Sequence, residues 1–222
     1  MYDGISMASK NVTRGKRDGG RFQDLFAFDI GTPYVNAEIN FLPKYGKPAW
    51  HESQWELYIA GYKAAGDRLI GTLRKYRVPT ANGMVYPILY LYRHYLELRL
   101  KEIIESGNMV RSKTKRVECE RFGHNLDRAW QECQKIFEET GLQVGPAQLM
   151  EAGEFIIWLS DTSEDLRYPI RKPSKNPRRN VWDRRDINLA KLRKYMQRVS
   201  SLLEKGSKWV QLTRDQVAEF NG

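Results

Sequence analysis

Cysteine and histidine are scarce in this chain. Cys119 and Cys133 are the only cysteines of 222 residues, and no pair stands at Cys-x-x-Cys spacing. That argues against a disulfide framework and against a structural zinc site. Histidine occurs three times, at 51, 94 and 124, so a multi-histidine metal centre would consume at least two of them. No apolar run approaches the roughly 20 residues of a membrane-spanning helix, and the first residues lack the apolar core of a secretory signal. A cytoplasmic protein without membrane contact is expected. The chain also lacks a Walker loop, a Gly-x-Gly-x-x-Gly turn, a Gly-x-Ser-x-Gly elbow and a His-Glu-x-x-His pair. Those absences set aside P-loop, dinucleotide-binding, α/β-hydrolase and zincin chemistry. Neither a metal nor a cofactor is expected. Asp161, Glu164 and Asp165 could in principle hold a divalent ion, but a solvated turn is the simpler reading.

Positive charge, by contrast, is abundant and uneven. The formal net charge is +10. Residues 1–21 carry five basic and two acidic residues, residues 107–121 again five and two, and residues 167–185 eight basic residues against Asp183 alone. Basicity therefore belongs to a leader and two loops, and the helical segments between them are nearly balanced. Concentrated cationic loops on a neutral scaffold suit a polyanion such as RNA or a nucleotide, through counterion release and steering. The binding candidates are Lys113, Lys115 and Arg116 in the first loop, and Arg167, Tyr168, Arg171, Lys172, Lys175, Arg178 and Arg179 in the second. Tyr168, Tyr95 and Trp182 could stack bases among these cations.

Periodicity organises the rest. Residues 1–21 read as a basic leader. Phe26, Phe28 and Ile30 alternate, as do Val35, Ala37, Ile39 and Phe41, which predicts a short β-hairpin or extended arm over 22–47. From 48 to 210 the spacing is helical. Trp55, Tyr58, Ile59, Tyr62, Leu69, Leu73 and Tyr76 define a first helix over 50–76, which Pro79 and Asn82-Gly83 should end. A second helix should run to Ser106 and stop at Gly107. Asn125 is suited to cap a third, with Leu126, Ala129, Trp130, Cys133, Ile136 and Phe137 inward. Gly141 closes it, and Gly145-Pro146 opens a fourth with Leu149, Ala152, Phe155, Ile156 and Leu159 inward. Pro169, Pro173 and Pro177 exclude a regular helix between 161 and 185. Leu189, Leu192, Met196, Val199 and Leu203 mark the last helix, with 213–222 as a tail. The expectation is one all-α domain over 22–212, a five-helix bundle with an N-terminal extended element.

The second helix carries the chemistry. Arg93, His94, Glu97, Lys101 and Glu105 share an arc of roughly 120° on a helix otherwise lined by Leu89, Tyr92, Tyr95, Leu96, Leu98, Leu100 and Ile103. Glu97 is four residues after Arg93 and three after His94, within helical reach of both. It could orient the arginine or fix a tautomer of the histidine; a solvated helix face is the plainer alternative. Arg99 falls inside the apolar arc. It must meet a carboxylate from another helix, face a subunit interface or snorkel. His124 precedes the Asn125 cap, where free amides favour an anion and a neutral imidazole. It could equally stack on Trp130. His51 is given no role.

The run Leu91–Lys101, then Gly123-His124-Asn125-Leu126 with Trp130, then Leu166-Arg167-Tyr168-Pro169, resembles bacterial HEPN-like helical proteins. The resemblance covers roughly residues 50–205 through about a dozen positions. It implies a helical homodimer from a toxin–antitoxin or phage-defence setting, and in many members metal-independent ribonuclease activity. It also implies an arginine and a histidine at a cleft, the histidine activating a ribose 2′-hydroxyl and the arginine stabilising the phosphorane. Arg93, His94, Glu97 and His124 are the candidate catalytic residues. The usual signature, an arginine followed after four to six residues by a histidine, does not occur here. Upstream of His94 those positions hold Pro87, Ile88 and Leu89; upstream of His124 they hold Val117, Glu118 and Cys119. The alternatives are a non-catalytic dimer that binds nucleic acid or a protein partner through its basic loops, and a regulatory partner protein.

Overall fold

A computed structural model of the chain describes residues 52–73, 78–161 and 187–220, all within one compact unit spanning Trp50–Gly222. The leader, the extended arm over 22–47, His51 and the loop carrying Arg167, Tyr168, Arg171, Lys172, Lys175, Arg178, Arg179 and Trp182 lie outside the described residues. The described residues are all-α, without strands. Five α-helices form: α1 (Glu52–Leu73), α2 (Val78–Val110), α3 (Leu126–Glu139), α4 (Pro146–Asp161) and α5 (Leu189–Phe220). Two single-turn 3-10 helices, Lys113–Lys115 and Cys119–Phe122, raise the helical segments above the expected five.

α2 is the central rod. At 33 residues it is about 50 Å long, and α1, α3, α4 and α5 all pack on it. The expected break before this helix is corrected. Pro79, Asn82 and Gly83 all lie inside α2. Pro79 is its second residue, where amide hydrogens have no intrahelical acceptor, so a missing N–H costs nothing. Pro87 is further in and gives up the bond to the Gly83 carbonyl. Burial decides the outcome against that local penalty: Ile88, Leu89, Tyr92, Tyr95, Leu96, Leu100, Ile103 and Ile104 are all core residues. The same burial carries the helix through Gly107 to Val110, past the stop expected there.

α3 follows the capping rule. The Asn125 side chain accepts from the Arg128 amide at 3.0 Å, and Gly141 takes a φ of 72° just beyond the end. The inward faces of α3 and α5 hold as expected, with Leu126, Trp130, Cys133, Ile136, Phe137, Leu192, Met196, Val199 and Leu203 buried. α5 runs on to Phe220 through the segment read as a tail. Tyr58, assigned to the apolar face of α1, is instead exposed.

Close approach fixes how the helices cross. A Cβ on Gly66 would sit 2.6 Å from the Tyr92 ring, so α1 and α2 meet only because that position has none. The phenol of Tyr92 then donates to Asp67 at 2.7 Å. Both cysteines are buried against α2: Cys119 donates to the Lys101 carbonyl and Cys133 to the Leu100 carbonyl. Burial pushes both thiols well above the ordinary range.

Candidate functional site: a carboxylate-held histidine on α2

Three arginines on or just beyond α2 are buried, and each ties the helix to a different neighbour. Arg99 reaches Glu56 on α1 through both terminal nitrogens, the Nη2 bond measuring 2.8 Å. It also meets Glu102 and Ser207, both at 3.3 Å. Of the three readings open from sequence, the carboxylate from another helix is the one found. Glu102 is saturated in turn, accepting from Ser106, Ser207 and Gln211. A cavity of about 20 Å³ lined by Trp55, Glu56, Glu102, Ser106, Gln211 and Arg214 borders this network. Arg111, read from sequence as one charge in a basic loop, is buried between two α3 carboxylates, Glu132 at 2.7 Å and Glu139 at 2.6 Å.

The third arginine builds the candidate site. Arg93 Nη1 donates to Glu97 at 3.2 Å, and Nη2 donates to the backbone carbonyl of His124 at 2.6 Å. The other oxygen of Glu97 receives two further groups, Lys101 Nζ at 2.9 Å and His124 Nδ1 at 2.8 Å. Burial raises the cost of a charge on Glu97, but the hydrogen bonds from Lys101 and His124 outweigh it and hold the carboxyl below its usual range. Arg93 Nε is buried with no partner among the described residues.

Position separates the members, with two held inside and one standing at the surface. Arg93 and Glu97 have side chains only 8% and 7% exposed, whereas His124 is 72% exposed. Its ring is gripped at Nδ1 from inside, and Nε2 has no partner among the described residues. The Arg93 bond to its carbonyl fixes the backbone from which the ring projects. Gly123, at φ 52°, supplies the turn immediately before it. An anchored carboxylate, an imidazole and an outward nitrogen together form an acid–base dyad.

His94 is corrected. It shares Glu97's stripe but makes no hydrogen bond to it. Tyr62 from α1 packs edge-on against its ring at a centroid distance of 4.3 Å, and Tyr90 lies parallel to it, 3° between planes, at 6.2 Å. Burial lowers its pKa against the pull of Glu97, so the neutral ring is favoured. Tyr95, proposed as a stacking residue, is 1% exposed and belongs to the core. The Trp130 ring contact is with Phe137, and Glu97 is what His124 meets. Lys113, Lys115 and Arg116 are all exposed, on and just after the first 3-10 turn. Among the described residues no cluster of His, Cys, Asp and Glu suits a metal ion. No described helix is long and apolar enough to cross a membrane.

Sequence reasoning missed Tyr86 and Tyr90, which are 53% and 40% exposed on α2, and Arg111. A signal for Arg111 existed: Glu132 falls among Ala129, Cys133 and Ile136 on the buried arc of α3, where a carboxylate demands a cation.

No family model matches the chain, and neither a curated protein nor a solved structure matches it.

Proposed function

We propose that this chain is a HEPN-like helical protein of a defence or toxin–antitoxin system. In this reading it engages RNA or a nucleotide as a homodimer, and His124 is the group presented to the ligand. The observation that carries the reading is the 2.8 Å contact between Glu97 and His124 Nδ1 beneath an exposed ring. A histidine held this way can accept a proton from a ribose 2′-hydroxyl at Nε2, with Glu97 stabilising the imidazolium that results. The 2′-oxygen would then bond to the adjacent phosphorus as the P–O5′ bond breaks, the departing 5′-oxygen taking up a proton from solvent; the product would carry a cyclic phosphate, and no metal is required. Lys113, Lys115 and Arg116 supply exposed positive charge that attracts the phosphate backbone.

A second reading, binding without cleavage, is favoured by a specific feature. The Arg93 guanidinium is committed to Glu97 and to the His124 carbonyl, so it is not free to stabilise a phosphorane. The test is a mixed RNA substrate incubated in EDTA with wild type, His124→Ala and His94→Ala, and with every product end mapped. Cyclic phosphate ends that disappear in His124→Ala support the ribonuclease. A salt-sensitive gel shift without cleavage, weakened and flattened in its salt dependence by charge reversal at Lys113 and Lys115, supports the binding module. Neither signal would overturn both readings and leave a protein-partner role.

A further inference from the structure

The stripe of α2 that carries Glu97 continues toward the helix N-terminus as aromatic rings, with Tyr86 and Tyr90 exposed and His94 half-buried. Tyr86, Tyr90 and His94 recur every four residues, which places them about 6 Å apart along the axis. With Glu97 and Lys101 they occupy an arc of roughly 80°. No aliphatic side chain stands within that arc between Tyr86 and Lys101. Tyr86 is 53% and Tyr90 40% exposed, unusual for tyrosines on the central helix of a bundle. The Tyr90 and His94 rings are parallel to within 3°, and Tyr62 buttresses His94 edge-on at 4.3 Å. The burial that lowers the His94 pKa keeps its ring neutral, and a neutral ring stacks on a base without the cost of desolvating a charge.

We infer that Tyr86, Tyr90 and His94 form a stacking platform for the bases of an unpaired RNA segment lying along α2, its backbone reaching His124 and Lys101. The inference rests on the RNA-engaging reading above and deepens it by naming the ligand as single-stranded. Ring faces one helical turn apart match the stride of an extended strand, whose bases are free to stack; a duplex hides those faces. Lys101, at one end of the row in a chain of net charge +10, complements its phosphates.

The test is fluorescence anisotropy with a short unpaired oligoribonucleotide and a duplex of the same sequence, using wild type, Tyr90→Ala and Tyr90→Phe. Tyr90→Ala should weaken binding of the unpaired strand about tenfold, the size of one lost base–ring stack. Its salt slope should not change, because no charge is removed, and its affinity for duplex should be unaltered. Tyr90→Phe should bind like wild type. If wild type binds the unpaired strand and Tyr90→Ala matches it, the platform is wrong and the RNA reading survives. Equal losses for both RNAs would also overturn stacking. If wild type binds neither RNA, both inferences fall. A self-association sensitive to Tyr90→Ala, seen by sedimentation in that case, would assign the stripe to a second copy of the chain.

Discussion

Arg93 and Arg99 stand on one helix, each nearly fully buried and each paired with a glutamate about one turn onward, yet they build opposite environments. Around Arg99 two carboxylates, two serines and a glutamine join α1, α2 and α5, with Glu102 and Ser207 buried and Glu56 47% exposed at the rim. Around Arg93 the inner side is just as well held, but the carboxylate is shared with Lys101 and His124, whose side chains are 22% and 72% exposed. The same pairing therefore serves two ends. A network spread over three helices fixes which of them meet. The other holds an imidazole at the surface on a charge that cannot move.

The contrast can be broken in order of expected effect. Arg99→Met leaves the buried Glu102 without its cation, and should cost about 3–5 kcal/mol, read as a lower denaturant midpoint. A loss under about 1 kcal/mol would mean the network is solvated and the distinction false. Glu97→Gln strips the charge from beneath Arg93 and His124, and should cost about 2 kcal/mol. It should also remove part of the acid sensitivity. The Glu97 carboxyl is depressed in the folded chain, so its contribution is complete above the unfolded carboxyl pKa and is lost as pH falls through the folded one. Wild type should accordingly weaken over that acid interval more steeply than the variant.

His94→Gln probes a subtler effect. The fold favours neutral His94, so the unfolded chain takes up the proton first as pH drops below the ordinary histidine value. Stability that His94 contributes near neutrality should fade through that interval, and the variant's stability should be flatter there. The smallest change is expected from His124→Ala, whose exposed ring should alter stability by less than about 0.5 kcal/mol. A large loss of stability would recast His124 as part of the scaffold.

These differences track what a sequence can carry. The Asn125 cap and the inward faces of α3 and α5 were legible because capping and helical periodicity are local. The Arg93–Glu97 pair was legible for the same reason, through its four-residue spacing. His94 has an equally permissive spacing to Glu97, but Tyr62, on another helix, claims its ring. His124 reaches Glu97 only because the Cys119–Phe122 turn and Gly123 bring it back over α2, and no spacing rule encodes that. Pro79, Asn82, Gly83 and Pro87 misled for the converse reason. Local breaking signals were overridden by the burial of the α2 face, an energy that exists only once the bundle is assembled.

The two thiols held on the α2 carbonyls make a built-in clock. Cys119 and Cys133 lie on either side of the α3 start, both buried and both kept protonated. A thiol reagent added to the native protein must therefore wait for α3 and its leading turn to lift away from α2. The alkylation rate at Cys133 would time that opening. Because His124 rides on the same segment, the rate also measures how often the dyad comes apart.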